Sequence, residues 1–294
     1  MTPSKTIYAD STRRHDVNYV FDIAFAERES GELTLQLLLP SPSFKGEKFP
    51  LIVDVPGSGW SGADGHRHVP LMTDVCEAGY AVACISYRGT FRDNVRFPAA
   101  VEDLKEAIRF LRANADKYGI DSDRIGLFGD SSGGHTVIIA ALTGDDKTFD
   151  VGRHKDESTS VRACAAFYAP NDFTNLVADR LAEGKRLRPG EGEFPFEGRE
   201  MYADDFLIDP NEKLIRASAF NYIEKGKQMP PFLFLQGDDD PIIPMAQGLR
   251  FCDAVRDAGG RSEFVKIVGG GHGRGCLTRE AMDIVVAFFN TYMK

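Results

Sequence analysis

A chain of 294 residues with 43% hydrophobic and 27% charged residues has enough apolar material for a large core, and its length suits one α/β domain carrying an excursion. Its formal net charge of −9, with no run of lysines or arginines, excludes the electrostatic footprint expected of a protein that binds nucleic acid or an anionic membrane. Five scattered cysteines fit a reducing compartment, residues 1–10 lack the pattern of a signal peptide, and no apolar run reaches ~18 residues, so the expectation is a cytoplasmic protein without a membrane span.

Two strand-like runs, Tyr19 to Ala26 and Glu32 to Leu39, come first and predict an antiparallel edge. Short aliphatic runs then alternate with helical patterns. Strands are expected at Leu51 to Val55, Tyr80 to Ser86, Arg124 to Phe128, Val161 to Tyr168, Phe232 to Gln236 and Ser262 to Val268. Helices are expected at Val69 to Ala78, Pro98 to Tyr118, Gly134 to Leu142, Met245 to Ala258 and Thr278 to Tyr292. The second is the clearest, with Val101, Leu104, Ile108 and Leu111 at helical spacing and Glu102 and Asp103 near the positive end of its dipole. Such alternation implies a mainly parallel sheet covered by helices on both faces, within a single α/β domain over 1–294. From about Asn171 to Gln228 the alternation gives way to a polar, Gly-rich stretch with aromatics, too long for a plain loop; it is expected to form a cap.

The strongest local signal is Gly129-Asp130-Ser131-Ser132-Gly133, placed where an apolar strand meets an apolar helix. A G-x-S-x-G turn at such a junction lifts its serine above the sheet, while the helix N-terminus offers unpaired N–H groups, that of Ser132 in particular, to an oxyanion. Ser131 is therefore the expected nucleophile, although a Gly-Ser-rich turn without chemistry has the same composition. A serine at its free pKa needs a base and a group to orient that base.

Gly237-Asp238-Asp239-Asp240-Pro241-Ile242-Ile243-Pro244 follows a buried strand at its carboxyl end, where open α/β sheets place their sites. Within G-x-x-D-x-x-[VI]-P, Asp240 stands in the position of the acid, and Asp238 is the second choice, suited to hydrogen bonding in the turn. No calcium-type ligand loop surrounds the cluster, so no metal is expected. His272, in a glycine-rich loop after the last strand, is the candidate base; His135 lies on the nucleophile helix and suits packing, and His15, His66, His68 and His154 end no strand. The loop Val55-Pro56-Gly57-Ser58-Gly59-Trp60 stands where the remaining oxyanion donors should lie, with the Ser58 and Gly59 amides the best candidates. Trp60, the sole tryptophan, faces either the core or the substrate.

The order Ser, Asp, His is that of the α/β-hydrolases. Together with Ile85-Ser-Tyr-Arg88, Phe97-Pro-Ala-Ala-Val-Glu-Asp103, Tyr118-Gly-Ile-Asp121 and Phe167-Tyr-Ala-Pro-Asn-Asp172, the motifs span residues 51–273 in sequence order. The chain thereby resembles the α/β-hydrolase carboxylesterases, especially the hormone-sensitive-lipase-like and bacterial feruloyl-esterase-like groups. The resemblance implies an eight-stranded sheet, hydrolysis of a small-molecule ester without a cofactor, and a cap contributing to the acyl or alcohol pocket. Pro56 and Ser58 depart from the H-G-G-G pattern of the lipase-like branch. Two other readings share the motifs. One is an aminopeptidase or acylpeptide-type hydrolase, disfavoured because only about fifty residues precede the first hydrolase strand. The other is a non-catalytic ligand-binding protein on the same scaffold, disfavoured because all three triad residues are present. Whether the chain assembles as a homo-oligomer is left open.

Overall fold

Apolar runs such as Ala81 to Ile85 are buried along their whole length, which is what strands in the middle of a helix-covered sheet require. The computed structural model describes residues 15–42, 45–185 and 210–294. In chain order its elements are β1 (Val17–Arg28), β2 (Gly31–Pro40), β3 (Phe49–Val55), α1 (Val69–Glu77), β4 (Ala81–Ile85), α2 (Ala99–Ala113), α3 (Ala115–Tyr118), β5 (Ile120–Asp130), α4 (Ser131–Thr143), β6 (Ala163–Phe167), α5 (Leu176–Ala182), α6 (Pro210–Ala217), β7 (Phe232–Gly237), α7 (Met245–Asp257), β8 (Ser262–Ile267) and α8 (Arg279–Met293). Among the described residues no helix is long and apolar enough to cross a membrane.

Eight strands form one sheet in the order β1-β2-β4-β3-β5-β6-β7-β8. The pairs β1–β2 and β2–β4 are antiparallel, as the edge hairpin predicts, and all the others are parallel. Successive strand residues alternate between two cores. Leu51, Val53 and Leu127 face one that includes Leu104 and Ile108 of α2, Val137 and Ile138 of α4, and Phe251 and Val255 of α7. Ile52 and Phe128 face the other, with Met72 and Val75 of α1 and Val285 and Phe289 of α8.

Most elements lie within two residues of the expected bounds; three depart further or are divided. The helix expected over 98–118 divides at Asn114 into α2 and α3. The strand expected from Arg124 begins at Ile120, with a register shift in its pairing to β3 between Pro50 and Leu51. Helix α4 begins at Ser131, three residues earlier than Gly134, because the chain passes from strand to helix at the serine itself with no intervening turn. Of the excursion expected as a cap, residues 186–209 lie outside the described residues; its ends form α5, α6 and a 3₁₀ turn at Ala219–Tyr222.

Candidate active site

Strand β3 has β4 on one side and β5 on the other, so the chain's winding direction reverses there and a crevice opens at the carboxyl ends of β3 and β5. Val55 pairs with Gly129 at that rim, which puts the loop after β3 beside the first residue of α4. Ser131 sits in the left-handed region at φ 52°, a conformation rare for a residue with a side chain and tolerated where the surroundings impose it. Those surroundings are tight: a Cβ on Gly133 would fall 1.9 Å from the Val55 carbonyl oxygen, so helix α4 is seated directly on the end of β3.

Ser131 Oγ lies 2.8 Å from His272 Nε2, and His272 Nδ1 lies 2.9 Å from Asp240 Oδ2. The three residues expected to act together are therefore in one hydrogen-bonded line. Asp240 is buried, and its other oxygen accepts from the amides of Ile242 at 2.7 Å and Ile243 at 3.0 Å, while Gln236 Nε2 donates to Oδ2 at 3.1 Å. A carboxylate bonded in this way is held at a single orientation. Such a line can draw the proton from a serine hydroxyl as the oxygen attacks an electrophilic carbon. Asp238 instead bonds the Gly269 amide at 2.7 Å and pairs with Lys266 at 2.9 Å, so its hydrogen bonds close the turn beneath His272.

The loop after β3 is pinned atom by atom. Tyr87 Oη donates to the Pro56 carbonyl at 2.7 Å and meets Ser58 Oγ at 2.8 Å. The Gly57 amide donates to Asp130 Oδ1 at 2.5 Å, and its carbonyl accepts from Arg67. The Ser58 amide donates to Ser132 Oγ at 2.8 Å, whereas the Gly59 amide has no acceptor among the described residues. Gly57 must be glycine, since a Cβ there would meet the Asp130 carbonyl at 2.6 Å and Ser131 Cβ at 2.8 Å. The Ser132 amide lies in the first turn of α4, where backbone N–H groups lack intrahelical acceptors.

Trp60 is buried in a small cluster with Phe173, Leu176, Leu214 and Ala217, so its ring joins α4 to the ends of the excursion. Its Nε1 donates to His135 Nδ1 at 3.2 Å, and His135 Nε2 donates to the Ala217 carbonyl at 2.7 Å. These two bonds fix the His135 tautomer and account for both of its ring nitrogens.

Four residues around the site were given no role from the sequence: Asp130 and Tyr168, although they lie inside quoted motifs, and Asp54 and His68. Asp130 Oδ2 accepts from Tyr168 Oη at 3.1 Å, and the Tyr168 ring lies 4.7 Å from that of His272. Burial, reinforced by Asp130, raises the Tyr168 pKa and keeps the phenol a donor. Behind Asp130 stand His68 and Asp54, both buried, with His68 Nδ1 at 3.0 Å from Asp54 Oδ1. One signal was available: Asp54 interrupts the apolar strand Leu51 to Val55, and a carboxylate in a buried strand requires a partner.

A family model described as BD-FAE matches residues 35–255. The chain is 34% identical over 217 residues to Esterase LipQ of Mycobacterium tuberculosis, an alignment covering 73% of this chain and 47% of that protein. It thus spans about half the length of that curated relative. A solved structure described as a truncated form of a carbohydrate esterase from gut microbiota superposes with a TM-score of 0.78 at 25% identity, covering 96% of this chain and 98% of the other. An esterase from Thermogutta terrifontis shares the fold with a TM-score of 0.70 at 20% identity, covering 94% of this chain and 92% of the other.

Proposed function

This chain belongs to the BD-FAE family, and from that premise we propose that it is a serine carboxylesterase acting on small acyl or aryl-acid esters. The observation that carries the reading is the unbroken line of hydrogen bonds from Ser131 Oγ through His272 to Asp240. Ser131 attacks the ester carbonyl as His272 Nε2 takes its proton. Asp240 stays ionised, keeps the proton on Nδ1, and stabilises the imidazolium. His272 then protonates the departing alcohol, and a water molecule activated by the same imidazole releases the acid from the acyl-enzyme.

The amides of Ser132 and Gly59 receive the oxyanion, joined by Ser58 once the Ser132 hydroxyl turns away from it. Trp60 forms the apolar floor on the acyl side. A carbohydrate esterase among the similar structures supports a polyhydroxylated alcohol part. So does the charged cleft beside the Asp240 loop, lined by Glu183, Lys185, Asp238 and Asp239. Five buried cysteines, all free thiols, support a reducing, cytoplasmic setting.

Turnover of p-nitrophenyl acetate, methyl ferulate, acetylated sugars and long-chain triglycerides by wild-type and Ser131→Ala protein tests the proposal. Short-acyl or aryl esters should be preferred, and the substitution should lower kcat on the order of 10⁴-fold or more. Undiminished turnover by Ser131→Ala, or a preference for triglycerides, would contradict it.

A further inference from the structure

The buried charges behind the Gly57 loop form a second set of titratable groups that the reaction steps above do not use. His68 ends a 3₁₀ turn, Gly65–His68, that is packed so closely on β4 that a Cβ on Gly65 would fall 2.3 Å from the Cys84 carbonyl oxygen. From this turn two basic side chains reach toward the site: Arg67 bonds the Gly57 carbonyl, and His68 lies between two carboxylates. His68 Nδ1 is 3.0 Å from Asp54 Oδ1 on β3, and Nε2 is 3.5 Å from Asp130 Oδ1 on β5. A neutral imidazole would turn a lone pair toward one of these acids, whereas the protonated ring presents an N–H to each.

The remaining groups facing this set are few. Cys84 on β4 lies beside Asp54 and is held as a thiol, its pKa raised by burial and by that carboxylate. Tyr168, from the segment after β6, donates to the far oxygen of Asp130. Burial alone would lower the His68 pKa, but Asp54 and then Asp130 outweigh it against a smaller opposing effect of Arg67, and the net direction is upward.

We propose that His68 is a positioning residue for the reaction at Ser131: as an imidazolium between Asp54 and Asp130 it fixes the Asp130 carboxylate, which holds the Gly57 amide and with it the loop bearing the oxyanion donors. The inference rests on reading Ser131 as the nucleophile. Deprotonating His68 leaves two buried carboxylates facing each other without a cation between them. Asp130 then loses its anchor on the His68 side, and the Gly57 peptide, gripped by Asp130 at one end and Arg67 at the other, shifts against Ser131. Activity should therefore fall as pH rises through the His68 pKa, above the ordinary histidine value of about 6.5.

The test counts active sites in wild-type, His68→Gln and His68→Ala protein with a fluorescent fluorophosphonate. It then measures kcat and KM for p-nitrophenyl acetate per labelled site across pH. Wild-type kcat should decline on the alkaline side. Both variants should lose about 10-fold to 10²-fold in kcat, less than outright removal of a donor, with KM changed less than about threefold and no alkaline decline. A residue needed only for folding would reduce the number of labelled sites and leave kcat per site and its pH profile unchanged; that result overturns the inference. If wild-type protein neither labels nor turns over esters, the esterase reading itself fails. In that case, or if neither variant folds, NMR of the wild-type chain decides: the Gly57 amide resonance should titrate with the pKa of the His68 ring, and a Gly57 amide indifferent to that titration refutes the linkage.

Discussion

At the scale of single residues, the positions around Ser131 are occupied by groups with one orientation open to them. Asp240 is fixed by two backbone amides and Gln236, Gly57 by a carboxylate and a guanidinium, and Trp60 by a histidine that has spent both of its nitrogens. Preorganisation of this kind is what lets dipoles stabilise a developing charge without rearranging during the reaction.

His135 shows what it costs. Burial lowers its pKa to about 4, with the hydrogen bond to Ala217 working weakly in the other direction. In the unfolded chain the ring takes up its proton near pH 6.5, so the neutral buried form contributes stability above that pH which is lost as pH falls toward 4. A shift of that size corresponds to about 3 kcal/mol. Urea unfolding of wild-type and His135→Gln protein should therefore show the wild type's advantage shrinking by about 3 kcal/mol between pH 7 and pH 4. A difference that stays constant with pH would show that His135 is not buried in its neutral form. The His68 effect has the opposite sign and a separate window, since stability gained by a raised histidine pKa is complete below pH 6.5 and declines only at higher pH.

Among the elements, the described part of the excursion is fastened to the site on one side. Past the end of α5, Glu183 accepts from the amides of Met245 at 3.2 Å and Ala246 at 3.0 Å, supplying the first turn of α7 with the side-chain acceptor that Pro244 at its N-cap lacks. Lys185 bonds the Asp240 carbonyl, and Arg180 Nε donates to the Ile242 carbonyl at 2.7 Å, so α5 also braces the loop that carries the acid. Glu183→Ala should therefore lower stability by about 1 kcal/mol, the usual worth of a helix cap with its charge near the dipole. Thermal unfolding checks this, and an unchanged midpoint would mean that the α7 amides are satisfied without Glu183.

The same scale explains which boundaries the sequence could reveal. Buried strands such as β4 and β7 are uninterrupted apolar runs and read clearly. The start of α4 did not, because Ser131-Ser132-Gly133-Gly134 has the composition of a turn, and only the seating of Gly133 on Val55 makes it helix from its first residue.

For the whole molecule, the sheet is the device that gathers residues distant in sequence. Ser131, Asp240 and His272 were legible because each follows a recognisable strand within a motif of its own. The surrounding layer of Asp54, His68, Asp130 and Tyr168 was not: Asp130 and Tyr168 lie inside motifs that assign them no partner, Asp54 and His68 lie outside any motif, and only the fold of the sheet brings the four together. Asp54 alone announced a buried partner without saying which residue it was.

On the proposed mechanism Ser131 becomes covalently acylated while Asp240 and His272 manage its proton. Acid-quenching the protein during turnover of p-nitrophenyl acetate and mapping the modified peptide by mass spectrometry tests it directly. One acetyl group per chain is expected, on the peptide at Ser131, accumulating further when deacylation is slowed and absent from Ser131→Ala protein. Turnover that proceeds with no acyl group on Ser131, or with one carried by another residue, would contradict it.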